Sequence, residues 1–190
     1  MKIVEAPNPV LSAVAKELKA PFPSDLPRML KYMERALLSA KDPKGVGLAA
    51  PQVGLGLRIF ITRPADKSKT QVFINPKILA TGKKQLAASQ KPEAKSKKPA
   101  RGQKKLEGCL SLPSIWGAIK RSPDVKLSYL DENGKSHTKT FSGFMAIIAQ
   151  HEIDHLDGIL FPRRVLEQKG KLYKSSKNEK NEDEFEEIEL

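Results

Sequence analysis

Gln150-His151-Glu152-Ile153-Asp154-His155 is the stretch whose reading decides the rest of the chain. Histidines four residues apart lie about one turn apart on the same side of a helix, so both imidazoles reach one metal ion. At this spacing the glutamate after the first histidine serves as general base towards a metal-activated water. Outward from the motif, Ser142 is a suitable N-cap and Gly158 a suitable stop. Between them run Phe144, Met145, Ala146, Ile147, Ile148, Ala149, Ile153 and Leu156. A helix apolar on nearly every side is expected to be buried. Two histidines and a glutamate in such a helix are costly unless something pairs them, and a metal does that. The bland alternative, a solvated helix with a chance histidine pair, fits poorly with such apolar neighbours.

The chain has 190 residues, which predicts one domain with a sizeable core. No apolar run approaches the about 18 residues needed to cross a bilayer. The first residues, Met1 to Pro7, contain no secretory apolar region. Cys109 is the single cysteine, so no internal disulfide can form. Together these features predict a protein of the cytoplasm, or of an organelle matrix, with no membrane association. The formal net charge of +12 favours an anionic neighbour but says nothing about chemistry.

Taken in order, residues 1–20 read as an extended segment broken by Pro7 and Pro9, with a polar turn from Ser12 to Lys19. Ser24 or Asp25 can cap a helix that carries Pro27 in its first turn and ends near Lys41-Asp42-Pro43. Its core face would be Leu26, Met29, Leu30, Met33, Leu37 and Leu38. Gly45-Val46-Gly47-Leu48-Ala49-Ala50-Pro51-Gln52-Val53-Gly54 reads as a packed loop whose glycines let a backbone or ligand approach closely. It makes a poor dinucleotide loop, because the third glycine is missing and no strand clearly precedes it. Leu57–Thr62 and Gln71–Asn75 read as strands.

Residues 81–105 hold nine lysines and arginines against one acid, Glu93, and no aromatic residue. Such a segment cannot bury enough apolar surface to order itself, and it reads as a basic loop inserted into the domain. A solubilising coat and an anion-binding loop are both open readings of it. Further on, Val125, Leu127 and Tyr129 alternate as in a strand, Asp131-Glu132-Asn133-Gly134 is a hairpin turn, and Ser136–Phe141 returns. A catalytic domain over residues 1–167 would be followed by a polar tail over 168–190. From Glu179 onward that tail is acidic, and it reads as a frayed helix or disorder.

Two histidines leave a catalytic metal short of ligands, since such sites take three plus an open position. Cys109 is the candidate third. Lone cysteines are more often small buried apolar residues. Here, however, Cys109 follows Glu107-Gly108 in a segment with little reason to be a core strand. His137, beside the hairpin turn, reads as an ordinary surface histidine.

Gly45-Val46-Gly47-Leu48-Ala49-Ala50-Pro51-Gln52, Glu107-Gly108-Cys109-Leu110-Ser111 and Gln150 to His155 resemble, in order, the three signature motifs of peptide deformylases. Phe73-Ile74-Asn75-Pro76 and Pro7-Asn8-Pro9-Val10-Leu11 are similar to the same family, so the resemblance spans about residues 1–167. It implies an α+β fold in which a central metal-binding helix is enclosed by antiparallel β-sheets. It implies hydrolytic removal of the N-formyl group from the N-terminal methionine of nascent chains, releasing formate. Carried over by position, Cys109, His151 and His155 bind one divalent metal ion, and Glu152 is the acid/base. Gln52 and the backbone N–H of Leu110 stabilise the oxyanion, and Gly47 meets the substrate backbone. The family implies Fe(II), often replaced by Zn or Ni. Glu107 either orients a metal ligand or caps a turn, and Ile147 and Ile148 either line a methionine pocket or pack the core.

The chain departs from the family in the length of its basic insertion and in its acidic C-terminus, which differs from the basic helix that some bacterial members use on the ribosome. The insertion could take over that contact through RNA phosphates. Two other functions compete. Another metallo-amidohydrolase or peptidase is disfavoured by the cysteine ligand, because zincins use downstream His or Glu. A basic ribosome-binding protein with a structural metal would need a fourth ligand, and no further Cys or His lies nearby.

Overall fold

The computed structural model describes residues 2–40, 44–82, 106–177 and 183–189. The basic stretch expected as an inserted loop lies, from residue 83 to 105, outside the described residues. Asn8, whose side chain accepts the N–H of Val10, caps a 3₁₀ turn over Pro9–Ser12 that buries Leu11. Helix α1 spans Leu26–Ser39 with Pro27 in its first turn. Pro there is inexpensive, because its missing N–H would have no intrahelical partner. Leu26, Met33, Ala36 and Leu37 are its buried residues. Of the residues expected on the core face, Met29 is only half-buried and Leu38 is exposed, and Ala36 is buried in their place. The buried stripe is narrow and runs at 26, 33, 36 and 37, so Leu38 points beyond it.

Two antiparallel sheets, of five and four strands among the described residues, enclose the centre. The first has the order β1 (Gly47–Ala49), β2 (Ile59–Thr62), β3 (Gln71–Thr81), β6 (Asp124–Leu130) and β7 (Ser136–Ser142). The second has the order β4 (Leu106–Cys109), β5 (Leu112–Ala118), β8 (Leu172–Lys177) and β9 (Asp183–Glu187). Helix α2 (Phe144–Leu156) packs on β1, β2, β6 and β7, and α3 (Phe161–Glu167) packs on β5. The α+β class and the central helix among antiparallel sheets are therefore present as expected.

Phe60, Phe73 and Tyr129 form the aromatic stack of the first sheet, with ring centroids 4.4 and 4.5 Å apart. Each such pair adds about 0.5–1.5 kcal/mol beyond simple burial. Against this stack lie Ala146, Ala149, Ile153 and Leu156 of α2. Small residues on that face let the helix sit close to the sheet. The register of β3 on β6 shifts between Ile74 and Lys77, around Pro76, which has no N–H to offer the ladder. At that bulge Asn75 adopts φ +50°, a region its short polar side chain tolerates. Its amide holds Leu18 from both sides, accepting the Leu18 N–H at 2.9 Å and donating to the Leu18 carbonyl at 2.8 Å.

Three local expectations change. The 45–54 stretch is a short strand, β1, followed by a 3₁₀ turn over Ala50–Val53. Pairing of Gly47–Ala49 with Phe60–Thr62 gives it strand partners that its small residues could not announce. Ser142 does not cap α2. It ends β7, and Gly143, at φ +61°, turns the chain into the helix where a side chain would be strained. The polar tail is neither helix nor free coil across its described part. Trp116 pairs with Tyr173, and Tyr173 with Glu187, so β8 and β9 extend the second sheet. Buried Leu172 anchors this hairpin against Phe161 and Val165.

No helix among the described residues is long and apolar enough to cross a membrane.

Candidate metal centre

The histidine motif lies within α2, which places the rings of His151 and His155 5.0 Å apart, centroid to centroid. Arg58 fastens the end of this helix, reaching Asp157 at 2.7 Å and the Leu156 carbonyl at 3.5 Å. A cation there also suits the negative end of the helix dipole.

Cys109 comes from the other sheet. It is the last residue of β4, contrary to the expectation that its segment is no strand. The register of β4 on β5 shifts between Gly108 and Cys109, and such an irregularity re-aims the next side chain. Cys109 is 3 % exposed, and its Sγ lies 3.2 Å from His155 Nε2. The ligand atoms of Cys109, His151 and His155 all fall within 4.8 Å of one another. Ligands at about 2.3 and 2.1 Å from a tetrahedral ion stand roughly 3.5 Å apart, so this S,N,N set fits one ion.

The imidazole orientations agree with that use. His151 Nδ1 is 3.1 Å from Glu107 Oε2, which leaves Nε2 with its lone pair towards the ligand set. Glu107 thus holds the His151 ring rather than capping a turn. Burial opposes its charge, but hydrogen bonds from His151 and Arg121 outweigh this and hold its pKa below the usual carboxylate value. His155 is buried, and its Nδ1 has no hydrogen-bond partner.

Glu152 is 4 % exposed, and burial pushes its pKa up to about 7. Its Oε2 is buried without a hydrogen bond. Gly47 lies directly against it: a Cβ on Gly47 would collide with Glu152 Oε1 and come within 2.8 Å of Ile148 Cγ2. Glycine at 47 is therefore required by space.

Gln52 is buried in the 3₁₀ turn after β1. Its Oε1 accepts the Ala49 N–H at 2.9 Å, and this fixes which end of the amide points onward. Its Nε2 reaches Ser111 Oγ at 3.3 Å and Cys109 Sγ at 3.5 Å. The donor end therefore faces the ligand cluster.

A cleft of about 540 Å³ opens on these groups. Gly47, Gln52, Cys109, Leu110, His151 and Glu152 all line it, as do Ile147 and Ile148. His137 is elsewhere, bonded to Asp131 at 2.7 Å and stacked on Tyr129.

Sequence reasoning missed the ionic frame behind the site. Arg121 grips Glu107 with two bonds of 2.9 Å and Asp154 with one of 2.5 Å. Arg164 grips the other oxygen of Asp154 at 2.8 and 3.1 Å. The chain Arg164–Asp154–Arg121–Glu107–His151 thus joins α3, α2, the segment after β5, and β4. One signal pointed to it: Asp154 sits on an apolar helix, and a buried carboxylate needs a cation.

The polypeptide deformylase family profile matches residues 1–171. A peptide deformylase of Christiangramia forsetii is 35% identical over 190 residues, covering 92% of this chain and 86% of its own. One of Borreliella burgdorferi is 36% identical over 162 residues, covering 85% of each. Among solved structures, a class I type b peptide deformylase from Acinetobacter baumannii superposes with a TM-score of 0.68 at 32% identity, covering 86% of this chain and 97% of that one. A peptide deformylase from Synechococcus elongatus, in complex with actinonin, superposes with a TM-score of 0.70 at 30% identity, covering 86% and 79%. The motifs, the ligand cluster and these matches over most of the chain have one reading: the chain belongs to the polypeptide deformylase family, metal-dependent hydrolases that remove the N-formyl group from N-terminal methionine.

Proposed function

We propose that deformylation is carried by Glu152 as acid/base, by Gln52 and the Leu110 N–H as oxyanion donors, and by Cys109, His151 and His155 as ligands of one Fe(II) ion. The observation that carries this reading is the convergence of the three ligand atoms beside buried Glu152 in one cleft. The chemistry a divalent ion supplies at such a donor set is Lewis-acid activation of water at neutral pH. Thiolate with two imidazoles suits Fe(II), and Zn(II) or Ni(II) could take the same donors.

Glu152 takes the proton of the attacking water as its oxygen bonds to the formyl carbon. The formyl oxygen then becomes an oxyanion. Gln52 Nε2, fixed by the Ala49 N–H at the other end of its amide, donates to it without reorganising. As the C–N bond breaks, Glu152 returns the proton to the departing amine, and formate and free N-terminal methionine leave. Gly47 brings the substrate backbone close to Glu152, and Ile147 and Ile148 offer an apolar, unbranched wall to the methionine side chain.

Cys109→Ser is the direct test. A hydroxyl stays protonated where a thiol becomes thiolate, so metal content after anaerobic purification should fall, with formate release falling in proportion. Full metal and full rate would remove Cys109 from the ligand set. The same metal analysis on the unaltered protein identifies the native ion, and zinc alone with full activity would overturn the iron assignment.

Gln52→Leu should lower kcat by roughly ten- to a thousand-fold, the range for one oxyanion donor. A rise in KM alone would make Gln52 a ground-state contact.

The substrates are N-formylmethionyl nascent peptides, which places the reaction in the cytoplasm, or in an organelle matrix. The basic stretch over 83–105 supports a transient contact with ribosomal RNA, on its charge alone. Replacing it with a short Gly-Ser link should weaken ribosome co-sedimentation at low salt and spare turnover of short peptides. Unaltered co-sedimentation would leave the stretch as a solubilising spacer.

A further inference from the structure

Trp116 lines the cleft, yet it lies on β5 and belongs to no signature motif. Its indole spans a row of the second sheet. The six-membered ring covers Gly108, where a Cβ would stand 2.9 Å from Trp116 Cε3 and Cζ3. At the other end, Trp116 Nε1 donates to Ser175 Oγ at 3.0 Å. Phe185 meets the ring edge-on, with centroids 5.9 Å apart and planes at 86°. Ser175 of β8 and Phe185 of β9 are register partners, so one row of the C-terminal hairpin holds the indole from behind.

The location gives this contact a consequence. Gly108 immediately precedes the ligand Cys109, so one end of the indole is beside the reacting centre. Its other end meets Phe185, which is 45% exposed at the surface. Trp116 therefore runs from the metal side of the cleft outwards. Trp116 shares the cleft with Gln52, Cys109, His151 and Glu152, so its face is open to whatever occupies that cleft beside them. Indole offers a large rigid face at little entropic cost, provided its orientation is fixed beforehand. Rotation about its side-chain bonds is what the Ser175 hydroxyl and the Phe185 ring prevent.

We propose that the β8–β9 hairpin is a positioning element for substrate recognition: Ser175 and Phe185 hold Trp116 as the wall that receives the peptide residues following the formylated methionine. The proposal rests on the deformylase reading above. Neither Ser175 nor Phe185 touches the reacting atoms, so their effect falls on binding of longer peptides and not on the chemical step.

Trp116 is the chain's single tryptophan, so emission reports it directly. The test compares the unaltered protein with Ser175→Ala, Ser175→Thr and Phe185→Leu. Emission is recorded without peptide, and kcat and KM are measured for formyl-Met-Ala and for a formylated tetrapeptide. Ser175→Ala and Phe185→Leu should shift the emission to the red. They should raise KM for the tetrapeptide by roughly three- to tenfold, the effect of losing one neutral hydrogen bond or one aromatic contact, with kcat held. KM for formyl-Met-Ala should hold, and Ser175→Thr should restore the tetrapeptide value. An unmoved KM ratio between the two peptides, or a fall in kcat on both, overturns the proposal while the deformylase reading stands. Absence of formate release from either peptide by the unaltered protein overturns both.

Discussion

Glu152→Gln is expected to keep its metal and to lose turnover by roughly a hundred- to ten-thousand-fold, the range for a positioned acid/base. The amide has the same shape, so the tight fit against Gly47 and Ile148 is preserved. What is lost is the ability to take a proton. In the native side chain burial raises the pKa to about 7, which lets the carboxylate accept a proton from water and give it up again to an amine near neutral pH. Gln52, Leu110 and the ligand set are untouched, so KM should change much less than kcat. The measurement is formate release alongside metal content of the same preparation. Metal loss would make Glu152 a structural residue, and a rate near that of the unaltered protein would remove it from the mechanism.

Arg121→Ala is expected to be the most destabilising single substitution near the site. The side chains of Arg121, Glu107 and Asp154 are only 8%, 11% and 9% exposed. Removing the guanidinium leaves Glu107 with His151 alone, and Asp154 with Arg164 alone. Breaking a buried ionic group by deleting one partner costs about 3–5 kcal/mol, and the remaining Arg164 contact argues for the lower end. Because Glu107 fixes the His151 ring, metal affinity should also fall by about ten- to a hundred-fold. Arg121→Lys should recover part of the stability and little of the affinity, since an ammonium cannot form the two-pronged grip on Glu107. Denaturant unfolding and competition with a chelator separate the two effects. A loss below about 1 kcal/mol would show that the network carries little net stability.

Much of the site was legible along the chain because its ligands carry spacing or scarcity. His151 and His155 announce themselves by helical period, and Cys109 by being the single cysteine beside a glycine. The alternation of β6 and the turn after it, with β7 as the return strand, were legible for the same local reason. Gly47, Gln52 and Leu110 rested on the family resemblance. Nothing in their own composition states that Gly47 faces Glu152, or that Gln52 reaches Ser111.

What the sequence determined by itself is local: periodicity, turn chemistry and the inventory of metal-binding side chains, each set within a few residues by backbone geometry. Tertiary structure alone decided the rest. The C-terminal residues become strands because β5 offers them an edge to pair with and because Leu172 finds Phe161 and Val165, although their polar composition argues for neither. Ser142 yields the cap position to Gly143 because the chain must turn sharply from β7 into α2. Arg121 and Arg164 look like any surface cations until folding places them beside Asp154, over sequence separations of 33 and 10 residues. Burial is what gives such pairs their strength, and burial is a property of the assembled sheets and helices that no short stretch of sequence can express.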